Sequence, residues 1–195
     1  MRLNLGCGSR KMAGWVNVDR YAGCQPDQVV DLEQTPWPWA DNSAEEVQMI
    51  HVLEHLGQST ERYLAIIGEL YRICAPNAKI FIVVPHPRHD SFLTDPTHVR
   101  PITAEGLAMF SQTRNRRQQA ANCANTPLGL MLGIDLEVEK AELVLDPAWR
   151  QRLSRGEVTA AQVNEAVQER YNVVESSHIV LRAVKGSTPA GTPAA

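Results

Sequence analysis

The sequence has few cysteines, little net charge and no long apolar run. Its 4 cysteines are scattered and form no Cys-x-x-Cys pair, which argues against a disulfide framework or a zinc knuckle and favours a reducing compartment. A formal net charge of -3 gives no general attraction to nucleic acid or anionic membranes. The longest apolar runs, such as residues 80–84, are far too short to span a bilayer. The first residues show no charged-then-apolar signal pattern, so we expect a cytoplasmic protein.

The rest of the composition is typical of a globular domain. The chain has 195 residues, of which 44% are hydrophobic and 21% are charged, and this is enough for one substantial core. We therefore expect a single domain over residues 1–185. Residues 186–195 contain only Gly, Ser, Thr, Pro and Ala, a composition typical of a flexible tail outside the core.

The stretch from Leu3 to Asp19 carries the first functional signal. Apolar residues precede a turn on Gly6 and Gly8, and a second short strand then ends on Asp19. Glycine lacks Cβ, so it adopts positive φ and lets a ligand approach the backbone closely. An acid at the tip of a second strand, beside such a turn, is how a doubly wound sheet holds a ribose diol.

The spacing within this stretch narrows the choice of cofactor. Residues 9–14 between the turn and the second strand are too few for a crossover helix. A pyrophosphate would need the N-terminus of that helix, whereas a nucleoside without phosphates would not. The pattern therefore argues against NAD and is compatible with S-adenosylmethionine.

Apolar patterns farther along the chain predict a parallel sheet. Strands are predicted at Val29–Leu32, Val47–His51 and Lys79–Val84, each with the residue types that strands favour. Ser59 is placed to cap a helix that begins at Thr60. The order strand, helix, strand favours parallel pairing with right-handed crossovers.

The last part of the chain predicts two more strands, at residues 134–145 and 173–185. Two helices are predicted between them. One begins at Asp146-Pro147 with proline in the first turn, and the other begins at Thr159 with a capping-box pattern. Residues 146–172 would therefore form a helical insertion between the last two strands.

Several segments within residues 2–110 combine into a recognisable pattern. They are Leu3–Gly8, Gly14–Asp19, Asp31-Leu32, Trp37–Ser43, His51–Leu56 and Asp95–Glu105. In this order and at these spacings they resemble the class I S-adenosylmethionine-dependent methyltransferases, most of all a small branch with a Leu-x-Leu-Gly-Cys-Gly turn.

The resemblance implies an α/β fold with a Rossmann-like, doubly wound sheet. The sheet would have seven mostly parallel strands in the order 3-2-1-4-5-7-6, with the last strand antiparallel. The helices after strands 1 and 2 look shortened to turns. Other residues or a partner, such as a second copy of the chain, must then cover that half of the sheet. Trp15, Trp37 and Trp39 are predicted to pack in place of the missing helices.

The resemblance also implies S-adenosylmethionine as the cofactor. Gly6–Gly8 would line the methionine end, Asp19 would accept hydrogen bonds from the ribose, and Asp31 with Leu32 would lie against the adenine. Asn4 stands where the family usually has an acid, which weakens the hold on the methionine amino group. The full set of predicted cofactor-binding residues is Leu5, Gly6, Cys7, Gly8, Asp19, Arg20, Asp31, Leu32 and His51.

Two histidines, His51 and His86, are the candidate catalytic bases. Each terminates a predicted strand whose carboxyl end should converge on the reacting methyl group. A neutral imidazole there can take a proton from an incoming hydroxyl or amine. For His51 an oriented structural role is an equal alternative.

The polar loop from His86 to Arg100 is predicted to face the acceptor. It contains histidines and acids at positions 86, 89, 90, 95 and 98, and such groups suit zinc or iron. Prolines at 85, 87 and 96 fix a backbone not built for tetrahedral ligands, so we expect no metal.

The function predicted from these residues is methyl transfer to an oxygen or nitrogen of a small-molecule or sugar acceptor. The alternatives are a metal-dependent hydrolase that uses the His86–His98 loop and a nonenzymatic S-adenosylmethionine-binding protein. The short basic run Arg114–Arg117 falls well short of a nucleic-acid-binding surface. Neither nucleic acid nor a membrane is an expected partner.

Overall fold

One seven-stranded sheet forms the centre of the protein, in a computed structural model that describes residues 1–186. The strand order is β3-β2-β1-β4-β5-β7-β6, which confirms the predicted order and the Rossmann-like α/β class. Beyond residue 186, the predicted tail lies outside the described residues. The strands are β1 (Arg2–Leu5), β2 (Val16–Asp19), β3 (Gln28–Val29), β4 (Ala44–Ile50), β5 (Cys74–Pro85), β6 (Leu136–Leu145) and β7 (Val174–Ala183).

The pairing directions place the carboxyl ends of the parallel strands at one edge of the sheet. β1 pairs in parallel with β2 and β4, and β4 pairs in parallel with β5. β7 runs antiparallel to both β5 and β6. The carboxyl ends of β1, β2, β4 and β5 therefore meet at the same edge, on either side of the switch in strand order where ligands of such sheets bind.

The helices follow the predicted local signals. The side chain of Ser59 accepts a hydrogen bond from the backbone N–H of Arg62 and caps α1, and α1 connects β4 to β5. Asp146 and Thr159 cap two helices between β6 and β7. The α-helices in the described residues are α1 (Thr60–Ile73), α2 (Asp90–Leu93), α3 (Ala104–Leu107), α4 (Gln112–Ala120), α5 (Leu128–Leu132), α6 (Pro147–Ser154) and α7 (Ala160–Glu169). No helix within residues 1–186 is long and apolar enough to cross a membrane.

Residues 6–43, which connect β1, β2, β3 and β4, contain no α-helical crossover, as predicted. Two tryptophans are buried there, and their rings meet edge to face with centroids 5.9 Å apart. The indole N–H of Trp37 donates to the carbonyl of Leu32, and that of Trp39 donates to the side-chain carbonyl of Gln28. These bonds satisfy the polar atom of each buried indole, so the tryptophans replace helices as packing. Trp15 is only half-buried.

Several predicted strand boundaries are wrong, and β4 and β5 begin at Ala44 and Cys74 rather than at Val47 and Lys79. The third strand is Gln28–Val29 rather than residues 29–32, because the Asp31 carboxylate accepts a hydrogen bond from the N–H of Glu33 and so stabilises a turn. The fourth strand ends at Ile50, and His51 follows it with a φ of +54°. This left-handed conformation ends the extended backbone.

Candidate functional site

The carboxyl ends of β1 and β2 are tied together by the Asp19 carboxylate. The backbone N–H of Gly8 donates to Asp19 Oδ2 at 2.8 Å, and the N–H of Tyr21 donates to Oδ1 at 2.9 Å. A carboxylate offers about four lone-pair positions. Each oxygen therefore keeps one position for a ligand hydroxyl, which is the arrangement that a ribose diol requires.

The two glycines of the turn serve different purposes. Gly6 has a φ of +66°, and a Cβ there would lie 2.4 Å from Val52 Cγ2. The close contact with Val52, which follows β4, therefore requires a glycine at this position. Gly8 has a φ of +49°, and a Cβ there would meet no atom of the described residues within 4 Å. Its open side leaves room for a ligand to approach the backbone.

A buried network holds the turn in shape, and sequence reasoning missed most of it. The Asn4 amide donates to the carbonyl of Arg10 and to Asn17 Oδ1, at 2.9 and 3.0 Å. Both nitrogens of Asn17, backbone and side chain, donate to Asp27 Oδ2. These hydrogen bonds lower the pKa of Asp27. Two buried asparagines in four-residue strands were the signal that could have revealed the network, because buried amides need partners.

Leu5 and Cys7 lie inside the turn rather than on its open side. The Leu5 side chain is fully buried in the core, so only its backbone can face a ligand. Burial raises the pKa of the Cys7 thiol, and the nearby Asp19 carboxylate adds to the effect. A protonated, buried thiol is a packing group and not a nucleophile.

The residues predicted to contact adenine lie beyond the end of β3. Asp31 is half-buried and uses one oxygen in its turn to Glu33. Leu32 is buried, and its carbonyl accepts the indole N–H of Trp37. Arg20 is exposed next to Asp19. The carboxylate of Asp31 thus has free lone pairs that could accept an exocyclic amine.

His51 lies at the end of β4, beside the end of β1. Its backbone N–H donates to the carbonyl of Val83, and its side chain is 51% exposed. The ring Nδ1 lies 3.4 Å from Glu54 Oε1. Glu54 follows in a 3-10 turn, Leu53–His55, and is fully buried. Sequence reasoning did not single out Glu54, although an acid between apolar Val52, Leu53 and Leu56 was a usable signal.

His86 follows β5 and has a fixed ring. Its Nδ1 accepts a hydrogen bond from the N–H of Arg88 at 3.2 Å. Burial lowers the pKa of His86, and the Arg88 and His89 charges act in the same direction. The neutral ring therefore carries its proton on Nε2, where it can donate to a ligand. His86 lines a cleft of about 380 Å³ together with residues of α3, β6 and β7.

The histidines of the loop after β5 separate to different places. His89 Nε2 lies 3.4 Å from Asp146 Oδ2 at the start of α6. His98 packs edge-on against the ring of His55, with centroids 4.6 Å apart. In residues 1–186, the one group of three residues that could share a metal ion is Glu54, His55 and His98. The His86–His98 loop thus forms no metal site by itself within the described part of the chain.

Comparisons with known proteins identify the fold. No family model matches the sequence, and no curated protein matches it. Among solved structures, the chain is similar to an S-adenosylmethionine-dependent methyltransferase from Archaeoglobus fulgidus, with a TM-score of 0.60 and 17% identity over 93% of this chain and 85% of that chain. It is also similar to one from Methanosarcina mazei, with a TM-score of 0.56 and 12% identity over 95% and 92%.

A third similar structure has a different activity. It is the cyclase SpnF, with a TM-score of 0.52 and 15% identity over 95% of this chain and 74% of that chain. The chain therefore has the fold of the S-adenosylmethionine-dependent methyltransferases, as the sequence resemblance predicts. Because a fold can carry several chemistries, the activity must be argued from the site.

Proposed function

We propose that the protein is an S-adenosylmethionine-dependent methyltransferase that acts on an oxygen or nitrogen of a small-molecule or sugar acceptor. The observation that carries the proposal is the contact between Gly8 and Asp19, an open glycine turn held against a strand-end carboxylate. It lies at the carboxyl ends of β1 and β2, where open α/β sheets bind their ligands.

The features of the turn suit a nucleoside without phosphates. Residues 6–15 contain no helix, so no helix N-terminus is available for a pyrophosphate. Asp19 would hold the ribose, Gly6–Gly8 the methionine end, and Asp31 the adenine. The side-chain NH₂ of Asn4 already donates to the Arg10 carbonyl and to Asn17 Oδ1. The backbone of the turn must therefore supply most of the hydrogen bonds to the methionine group.

The role of the protein in the reaction is mainly to position the acceptor. The sulfonium of the cofactor supplies the transferable methyl group. In-line attack requires the acceptor atom about 3 Å from that carbon, and good orientation supplies much of the rate. The loop of residues 86–100, which follows β5 and contacts the turn after β4 through the Val99 N–H and the Glu54 carbonyl, would hold the acceptor.

An acceptor that still carries a proton also needs a base. His51 fits this role better than His86, because its Nδ1 lies 3.4 Å from the Glu54 carboxylate and its Nε2 would be available to the acceptor. His86 Nδ1 is engaged by Arg88, so His86 is the better hydrogen-bond donor. His51→Asn should lower turnover, whereas His86→Asn should act mainly on acceptor KM.

Calorimetry against S-adenosylmethionine and NAD tests the cofactor assignment. We expect saturable binding of S-adenosylmethionine and none of NAD. Binding of NAD alone would overturn the assignment. If neither binds, the proposed cofactor site is wrong.

A matched pair of variants locates the bound cofactor. Gly8 and Gly14 both have positive φ, and a Cβ at either would meet nothing within 4 Å among residues 1–186. Alanine at either position therefore carries the same backbone strain, about 1–2 kcal/mol. Only Gly8→Ala should weaken cofactor binding, by about 1–3 kcal/mol or about 5- to 150-fold. Equal effects of the two variants would show that the turn is not the site.

Transfer itself is tested with methyl-labelled cofactor and a panel of small alcohols, amines and sugars. Label in one acceptor class identifies the reaction. Cofactor binding without transfer to any member would favour the nonenzymatic alternative. The cyclase among the similar structures makes this test necessary, since the shared fold does not guarantee transfer.

A further inference from the structure

Glu54 is a buried acid whose carboxylate has no hydrogen-bond partner within the described part of the chain. Its side chain is 0% exposed, and neither carboxylate oxygen accepts a hydrogen bond from residues 1–186. An ionised carboxylate in such surroundings is costly unless a cation compensates it. His51 could supply a positive charge if it were protonated. Its Nδ1 lies 3.4 Å from Glu54 Oε1, but the two atoms do not have hydrogen-bond geometry. The negative charge of a buried Glu54 carboxylate would therefore be stabilised by a bound cation.

Two histidine rings complete a set of ligand groups around this carboxylate. One ligand atom from each of Glu54, His55 and His98 lies within 4.8 Å of the others. His55 is the next residue in the turn, whereas the loop after β5 brings in His98. The backbone N–H of Val99 donates to the carbonyl of Glu54 at 2.9 Å, which anchors the loop at this point.

The hydrogen bonds of His98 leave one ring nitrogen free. Its Nδ1 lies 2.8 Å from the carbonyl oxygen of Phe92. A carbonyl can only accept, so Nδ1 carries the proton and Nε2 has a lone pair. Asp95 Oδ2 lies 3.8 Å from that Nε2, beyond hydrogen-bond distance. It adds a second negative charge next to the site.

The same reasoning applies to His55. The Thr97 hydroxyl donates to Asp95 Oδ1 at 2.6 Å, so its proton is already used. Thr97 Oγ1 must therefore accept from His55 Nδ1, which lies 2.9 Å away, and His55 Nε2 keeps its lone pair. Histidines that bind metals typically donate their other ring N–H to an oxygen in this way.

We propose that Glu54, His55 and His98 bind a divalent transition-metal ion such as Zn²⁺. Two imidazole nitrogens and one carboxylate oxygen suit zinc, whereas magnesium and calcium prefer oxygen ligands alone. Three protein ligands leave a position open for water or another ligand. Around tetrahedral zinc, ligand atoms lie about 3.3–3.5 Å apart, so small side-chain rotations complete the site.

The ion would lie next to His51, at the carboxyl end of β4. It would thus adjoin the region assigned above to the acceptor. The site does not depend on the proposed methyl transfer, because its binding can be measured without S-adenosylmethionine. Failure of cofactor binding and failure of metal binding are therefore separate results.

Zinc titration by calorimetry of chelator-treated protein tests the site. A Cys123→Ser background removes the exposed thiol, a competing ligand. We expect one Zn²⁺ per chain and a loss of affinity of at least about 100-fold in the His55→Asn/His98→Asn double variant, since even outer-shell changes cost about 10- to 100-fold. Glu54→Gln should weaken binding in the same way.

His89→Asn is the matched control. His89 belongs to the same loop and pairs with an acid, Asp146, at 3.4 Å, but it lies outside the proposed site. The affinity of the His89→Asn protein for Zn²⁺ should equal that of the parent protein. Weak binding by the parent, or equal losses in the control and the double variant, would overturn the proposal.

Cobalt binding by the parent protein tests the site without any variant, and so remains informative if the variants fail to fold. Co²⁺ bound by two imidazoles and a carboxylate in a four- or five-coordinate site absorbs visible light more strongly than hexa-aqua Co²⁺, and Zn²⁺ should displace it with loss of the spectrum. Absence of this absorbance at saturating Co²⁺ would also refute the site.

Discussion

Replacing Asp19 with asparagine tests the ribose-binding role of that carboxylate. Each oxygen of Asp19 already accepts one backbone N–H, from Gly8 or Tyr21. In Asp19→Asn the carbonyl oxygen can keep only one of these donors, and the new NH₂ group cannot accept a ribose hydroxyl. The variant thus removes the charge and half of the accepting positions without changing side-chain size.

The expected loss follows from the hydrogen bonds to the charged group. One such bond contributes about 1.5–3 kcal/mol. Affinity for S-adenosylmethionine should therefore fall about 10- to 150-fold in calorimetry. The unfolding free energy should also fall, by about 1–3 kcal/mol, because one backbone donor of the turn loses its partner. A denaturant titration establishes that the variant remains folded.

An analogue of the cofactor without ribose hydroxyls separates the two effects. If Asp19 contacts the diol, the analogue should bind the parent protein weakly, and Asp19→Asn should not weaken it much further. Asp146→Asn is the control, because Asp146 also accepts the backbone N–H two residues on, at 2.8 Å, but caps α6. If Asp19→Asn binds S-adenosylmethionine as tightly as the parent, the ribose assignment is refuted.

Three further predictions concern the turn and the cleft. Gly6→Ala should lower the unfolding free energy by about 1–3 kcal/mol more than Gly14→Ala in urea titrations, because its Cβ would lie 2.4 Å from Val52 Cγ2; similar losses would contradict this account. The hydrogen bonds from Asn17 lower the pKa of Asp27. Ionised Asp27 therefore stabilises the fold fully above the ordinary pKa of Asp, and this contribution is lost as pH falls through the lowered pKa. In Asp27→Asn the free energy of unfolding should depend less steeply on pH in the acid range. His86→Ala should raise acceptor KM up to about tenfold by removing one neutral hydrogen bond and leave cofactor affinity unchanged; an effect on cofactor affinity alone would place His86 elsewhere.

The sequence predicted those features whose signals lie within a few residues. Ser59, Asp146 and Thr159 cap helices because each side chain accepts an N–H two or three positions later. The glycine turn and the strand order were accessible from local pattern and from the family resemblance. The third strand was predicted too long because one side-chain hydrogen bond, from Glu33 to Asp31, favours a turn.

The groups that meet across the fold were not accessible in this way. The sequence alone predicted no role for Glu54. The structure shows that its carboxylate is buried beside His55 and has no hydrogen-bond partner among residues 1–186. The histidines after β5 form one cluster in the sequence, yet His86, His89 and His98 contact different elements. His98 reaches His55 only because the loop returns to the end of β4.

The sequence by itself thus determined the strands, the caps and the turn that a nucleoside would need. The tertiary structure decided which acids and histidines share a site. The physical reason is range: helix caps and tight turns form between neighbours in the chain. Contacts among Glu54, His55 and His98 depend on where the parallel strands and their crossovers bring distant segments together.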